Sequence, residues 1–403
     1  MPKASEIVSS YLQSEIVRGS FPGAQYLIGE RQQVIAEDAL GWAVIEPELI
    51  PATVDTIYDL ASLTKPLITS LLVVLCAQRG ALDLTAPLAA YLEEFDNQER
   101  KITLTELLTH TSGLPNWRPL YVEAKSREEV PATIARVSLE QRAHDSKEVV
   151  YSDLNYILLG FVLERLTGER LDHLAERDIF NPLGLGRTMF NPPAKLIREI
   201  AATERGQVFE LANALADVRM RGGDRATLEL SSPGNLSGNA FPSSLTSSLL
   251  PFSAERDPWR TDVIWGEVHD GNAHFMGGVA GHAGLFSTAR DVFRIANQFL
   301  DGSQLLEPGW LHLFRDNLTR GSDTSRSIAW IRAQTRDCSA GPALSPAAIG
   351  HNGFTGGSVW MEPNERRIFI LLTNRVHPHV DAIDMREIRR RFNTLAVETV
   401  AGF

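Results

Sequence analysis

The 403-residue chain has only two cysteines, Cys76 and Cys338. No metal-ligand spacing such as C-x-x-C occurs, and two thiols cannot build a disulfide framework, so free thiols are expected. Lysine is scarce: six lysines stand beside 33 arginines. Basic charge is in deficit as well, with 39 Lys and Arg against 50 Asp and Glu and a net charge of −11. That balance excludes nucleic-acid binding through a basic face. There is no uninterrupted run of 18 apolar residues, so no membrane span is expected. The first twenty residues lack the apolar core and small-residue cleavage site of a secretory leader. With Met1 taken as the natural start, a cytoplasmic location is expected. The G-x-S-x-G elbow of α/β-hydrolases is missing. The glycine-rich stretch Gly277–Gly284 lacks the Lys-Ser/Thr of a phosphate loop, which argues against nucleotide binding.

What is present is an ordinary globular composition, 43% hydrophobic and 22% charged, on a chain too long for one core. Residues 5–18 carry apolar side chains at helical spacing. Two alternating segments follow, with a turn near Glu30 and Arg31, and read as antiparallel strands. Helical periods then dominate, at 67–78, 85–92, 104–108, 132–142 and 156–166. Residues 226–262 are crowded with Ser, Pro and Gly and read as a long loop that overhangs a cleft or lies on the surface. A helix is expected over 288–299, with Ser287 or Thr288 as its cap. Strand signals return at 327–335, 358–362 and 367–373, and a last helix is expected over 382–400. Arg386–Arg391 reads as the solvated face of that helix. Strands at both chain ends around a helical middle predict an α+β protein. A discontinuous sheet domain would comprise 1–61 and 265–403, a mostly helical domain 62–264, with an active site between them.

Three segments carry chemistry. In Asp59–Pro66 (DLASLTKP), Ser62 and Lys65 are three residues apart and share a helix face. Pro66 has no N–H to give, so the helix starts close to Ser62. A serine there has a free helix-terminal N–H for an oxyanion, and Lys65 can serve as its base or as a fixed positive charge. Alone, the pattern also describes an N-cap followed by a solvated lysine. In Val149–Tyr156 (VVYSDLNY), Tyr151 and Asp153 sit on a loop entering a helix. A tyrosine with an ordinary pKa of ~10 becomes a useful base only beside a positive charge. In Gly350–Ser358 (GHNGFTGGS), glycines allow close backbone approach at a strand edge.

These three segments in this order resemble the serine β-lactamase-like superfamily, in its class C, penicillin-binding and esterase branch, which uses S-x-x-K, Y-x-N and K-T-G or H-x-G. Leu107–Pro115 (LLTHTSGLP) and Gly277–Thr288 (GGVAGHAGLFST) are similar to further strings of that family. Glu267–Asp270 with Asn272-Ala273, and Leu371–Pro378 (LLTNRVHP), resemble a sub-branch of low-molecular-mass penicillin-binding proteins. The resemblance implies a β-lactamase/DD-peptidase-like fold, an antiparallel sheet flanked by helices plus an inserted helical region. It makes Ser62 the nucleophile of an acyl-enzyme, with Lys65 and Tyr151 moving its proton. The N–H groups of Ser62 and Phe354 would form the oxyanion hole, next to Gly353. His351 and Asn352 would orient the substrate, and no metal or other cofactor is implied.

Two positions depart from the family pattern. Asp153 stands where Asn is usual, and a carboxylate beside Lys65 favours the ammonium form, which hands the base role to Tyr151. His351 stands in place of a lysine. Histidine is mostly neutral at pH 7, which favours small ester or amide substrates over those held by a carboxylate. The leading expectation is an esterase or D-amino-acid-type peptidase acting on small ester, amide or peptide substrates. A β-lactamase or D-Ala-D-Ala carboxypeptidase comes second. A catalytically inactive relative that binds peptide or cell-wall fragments is the rival from another class.

Overall fold

The structure is a computed structural model that describes residues 4–97, 101–137, 148–220 and 260–402. All but the last three residues of the expected 226–262 loop lie outside the described residues. So do 138–142 of the helix expected over 132–142.

The first two strands, β1 (Gly23–Glu30) and β2 (Gln33–Val44), form a hairpin. Its two-residue turn, Arg31-Gln32, holds both residues at positive φ, 51° and 66°, the twist that a tight hairpin needs. Strands β3 (Ile50–Pro51) and β4 (Tyr58–Asp59) follow, then β5 (Met189–Phe190) and β6 (Leu285–Ser287). The C-terminal part supplies β7 (Ile331–Arg332), β8 (Ile349–Asn352), β9 (Ser358–Glu362) and β10 (Arg367–Thr373). Seven of them make one antiparallel sheet in the order β3-β2-β1-β10-β9-β8-β7, so both chain ends meet at the β1/β10 pair. A small sheet, β4-β6-β5, lies beside the nucleophile segment. The strand expected over 327–335 shrinks to two residues.

Alternation along the strands sorts side chains onto two faces. Phe369 and Leu371 of β10 and Trp360 of β9 join a cluster with Val8 and Leu12 of the first helix (Ala4–Val17) and Phe392 of the last (Met385–Ala401). Ile368, Ile370 and Leu372 of β10, with Val359 and Met361 of β9, enter the larger core under the other helices. Of the expected helices, 104–108 forms as Leu104–Thr109, closed by a capping box of Thr103 and Glu106. The 156–166 period forms as Asp153–Thr167. The segment expected as a helix over 85–92 makes only a 3₁₀ turn at Leu88–Ala90 behind Pro87. Thr288 is the cap of Ala289–Ala296, its hydroxyl accepting from the Asp291 N–H.

One segment resembles a membrane span in composition alone, and one expectation is corrected here. Ala61–Gln78 is long and apolar enough on average to cross a membrane, although Thr, Ser and Lys interrupt it; 89% of it is buried, as a core helix would be. Arg389 is not on a solvated face: it is buried and donates into the 353–357 turn.

Candidate active site

Strand β4 delivers the chain to the nucleophile. Asp59, its last residue, is buried, and its carboxylate accepts from the N–H of Ala61 at 2.8 Å and of His269 at 2.7 Å. Ala61 holds φ +46°, a conformation a non-glycine residue adopts only when its surroundings fix it. The Asp59 bond to its N–H is one such restraint. A 3₁₀ turn over Ala61–Leu63 then presents Ser62, and the helix widens into a π turn over Lys65–Ser70 before continuing as Leu71–Gln78. Such widened turns recur at functional sites.

Lys65 is fully buried. Its ammonium nitrogen donates to Ser62 Oγ at 2.7 Å and to the His282 carbonyl at 3.1 Å, and it pairs with Asp153 Oδ1 at 2.7 Å. Burial alone would lower its pKa. The Asp153 carboxylate and the Tyr151 side chain outweigh that and hold it above the ordinary lysine value. Lys65 also sits 5.2 Å from the centre of the Tyr151 ring.

Tyr151 is 37% exposed and lines the cleft. His110 stacks behind its ring at 4.5 Å, and His351 and the Arg326 guanidinium lie at 5.7 Å. His110 is buried in a left-handed turn and accepts the Ser152 N–H at Nδ1. Burial, with Arg326 and Lys65 nearby, keeps both His110 and His351 well below the usual histidine pKa. His351 is therefore neutral, its Nδ1 facing the Asn352 carbonyl at 2.9 Å.

Strand β8 brings His351 and Asn352 to the same cleft, about 550 Å³ in volume, which Ser62, Gly353 and Phe354 also line. A Cβ on Gly353 would lie 2.7 Å from the Leu60 carbonyl oxygen, so glycine is what lets β8 approach the nucleophile segment. Thr355 ties the two together, donating to the Asp59 carbonyl at 2.8 Å. The turn's own backbone bonds join Gly353 to Gly357 and Gly356 to Gly353, which leaves the Phe354 N–H out of the set. The structure thus gathers Ser62, Lys65, Tyr151, Asp153, His351, Asn352, Gly353 and Phe354 at one place.

Several residues that shape the site carried no sequence signal of their own. Asp59 stood in the nucleophile string without a role. Arg326, Arg375 and Arg389 line the cleft from three separate segments. Of the histidines near 270, His269 bonds Glu204 at 2.9 Å and stacks on Phe354 at 5.6 Å. His282, whose carbonyl receives Lys65, bonds Asp270 at 2.9 Å. No group of three or more possible metal ligands occurs among the described residues.

A serine held by a buried lysine at a helix start, faced by a tyrosine and a glycine-rich strand edge, is the arrangement of a serine acyl-transfer hydrolase. The beta-lactamase family profile matches residues 6–393, and the chain belongs to that family of serine hydrolases. A Bacillus subtilis protein named N-acetylmuramyl-L-alanine amidase is 29% identical over 403 residues, 93% of this chain and 81% of its own length. An Escherichia coli K12 protein, provisionally named a D-alanyl-D-alanine carboxypeptidase, is 29% identical over 398 residues, 91% of this chain and 81% of its own. Among solved structures, EstCE1, a hydrolase with promiscuous acyltransferase activity, superposes with a TM-score of 0.69 at 20% identity, covering 99% of this chain and 98% of that one. A penicillin-binding protein homologue from Caulobacter crescentus gives 0.68 at 18%, with the same coverage. At those identities the likeness speaks for the fold.

Proposed function

We propose that the protein hydrolyses small esters or amides, including D-amino-acid-type peptides, through an acyl-enzyme on Ser62. The observation that carries this reading is the buried Lys65 ammonium, 2.7 Å from both Ser62 Oγ and Asp153 Oδ1. Ser62 Oγ attacks the substrate carbonyl and gives up its proton. Lys65, held as a cation by Asp153, cannot take that proton, so Tyr151 takes it, acting as a phenolate whose negative charge Lys65 and Arg326 stabilise until the proton arrives. The N–H groups of Ser62 and Phe354 receive the oxyanion, and loss of one such donor typically costs about 3–4 kcal/mol of barrier. Tyr151 returns the proton to the leaving group, and water then releases the acyl group by the same steps in reverse. His351 and Asn352 orient the substrate.

A second reading, a β-lactamase or D-Ala-D-Ala carboxypeptidase, is favoured by the names of the curated relatives, which point to cell-wall peptides. The test common to both is intact mass after incubation with a small fluorophosphonate. A single adduct on the parent and none on Ser62→Ala is expected. No adduct on a folded parent would shift the reading to a binding protein with inherited architecture. Rates on short-chain esters, D-amino-acid amides and β-lactams then separate the first two readings.

A further inference from the structure

The cleft contains an unusual balance of charge. Three arginines line it, Arg326, Arg375 and Arg389, and no acidic residue does among the described residues, on a chain whose net charge is −11. Two of the three are committed to the protein. Arg389 is buried and donates to the carbonyls of Gly353, Gly356 and Gly357, pinning the turn that carries Phe354. Arg326 is buried, donates to the Ala329 carbonyl at 2.7 Å and lies over the Tyr151 ring.

Arg375 differs. It lies two residues past the end of β10 and is only partly buried. Its guanidinium lies 4.6 Å from the centre of the Phe354 ring, and its Nε donates to the Phe354 carbonyl at 2.8 Å. The ring it rests on also packs against His269 and Phe209. The guanidinium plane is therefore fixed from two directions. Among the described residues no carboxylate pairs with it, and no protein group receives its two terminal nitrogens. A planar cation with two parallel donors, held rigid at a cleft wall, matches the geometry of a carboxylate. It is attached to the same residue whose N–H faces the reacting carbonyl in the mechanism above.

We infer that Arg375 is the specificity-determining residue of this site and selects substrates that carry a carboxylate. The inference rests on the hydrolase reading. It reverses the expectation drawn from His351 alone: a neutral histidine in place of a lysine does not make the cleft neutral, because the cation is supplied by the end of β10 instead of by β8.

The test uses two pairs of esters, each pair alike except for one charge. One pair carries the carboxylate on the leaving group (phenylacetyl glycolate against phenylacetyl glycolamide). The other carries it on the acyl group (a p-nitrophenyl succinate half-ester against its succinamate). The ratio of kcat/KM, anionic to neutral, is measured for the parent, Arg375→Gln and Arg375→Lys. A preference of about ten- to a hundredfold is expected for one of the two anionic esters, the size of a charge-assisted bidentate contact. It should fall to near one in Arg375→Gln and survive in part in Arg375→Lys. The pair that shows it tells which half of the substrate Arg375 holds. Ratios near one for both pairs in the parent, or a preference that persists in Arg375→Gln, would overturn the inference. If the parent turns over no ester, the hydrolase reading fails, and calorimetric binding of the same pairs decides the inference separately. Tighter binding of the anionic member that is lost in Arg375→Gln supports it, and equal or absent binding refutes it.

Discussion

Replacing Asp153 with Asn probes the division of labour between Lys65 and Tyr151. The substitution keeps the shape of the side chain and removes its charge 2.7 Å from a fully buried ammonium. At an effective dielectric of ~20, unit charges about 4 Å apart interact by about 4 kcal/mol, roughly a thousandfold in a protonation equilibrium. Without that partner, burial dominates and pulls the Lys65 pKa down. The free amine then becomes available at lower pH and competes with Tyr151 for the Ser62 proton. The assay is kcat/KM for a neutral chromogenic ester between pH 5 and 10, for the parent and Asp153→Asn. The limb that reports loss of the Lys65 proton should move to lower pH in the variant. Stability gives an independent reading. A lysine whose folded pKa is raised contributes stability that is fully present below its unfolded value of ~10.4 and fades as pH rises through the folded value. Removing one partner of a buried pair costs about 3–5 kcal/mol, less where an amide oxygen still accepts. The variant should therefore unfold more easily at pH 7. Superimposable pH–rate profiles would refute the argument, because they would mean that Asp153 does not set the protonation state of Lys65.

Two more outcomes follow from buried carboxylates. Asp59→Asn faces one of its two backbone donors with an amide NH₂, which should cost about 1–3 kcal/mol; because the Ala61 turn and the His269 backbone both hang on the Asp59 carboxylate, fluorophosphonate labelling of Ser62 should slow at least tenfold, and an unchanged labelling rate would show that Asp59 only supports the fold. Glu210, buried beside Asp270, has its pKa raised to about 7, first by burial and then by the Asp270 charge. A raised carboxyl binds its proton more tightly folded than unfolded, so stability is highest below the unfolded value of about 4.5 and declines as pH rises to about 7, by about 3 kcal/mol in all. Unfolding midpoints measured from pH 4.5 to 8 should fall across that window for the parent and stay flat for Glu210→Gln; equal slopes would remove Glu210 as the cause.

What could be read from the sequence was what is local. Ser62 and Lys65 advertise themselves because three residues on a helix place both on one face, and that relation needs no partner from elsewhere. The apolar run in 367–373 reads as a strand from its own composition, and it forms one over Arg367–Thr373. The 85–92 segment misled because its apolar spacing was helical, while Pro87 and a backbone bond from Leu88 to the Ile102 carbonyl hold it as a turn. Arg389 was read as solvated because its neighbours Arg386, Arg390 and Arg391 share its composition, and one-dimensional charge does not reveal which of them turns inward. Asp59, Arg326 and Arg375 gain meaning only when segments separated in the chain close on one cleft.

The scarcity of lysine then takes on a physical sense. Acyl transfer at Ser62 involves negative charge twice, on the Tyr151 phenolate before it takes the proton and on the oxygen of the tetrahedral intermediate, and fixed positive groups aimed at those points lower the barrier without reorganising. A mobile, titratable lysine at each point would add uncertainty of position and of charge. Here a single lysine is locked by a carboxylate and a carbonyl, and the remaining cations are arginines, which stay charged even where burial lowers their pKa. Each is oriented by backbone carbonyls: Ala329 for Arg326, the 353–357 turn for Arg389, Phe354 for Arg375. Arg326 and Arg389 are buried and hold the machinery still. Arg375 is the partly exposed one, and a cation with unspent donors at the open wall of a substrate cleft is the place where the substrate's own charge is read.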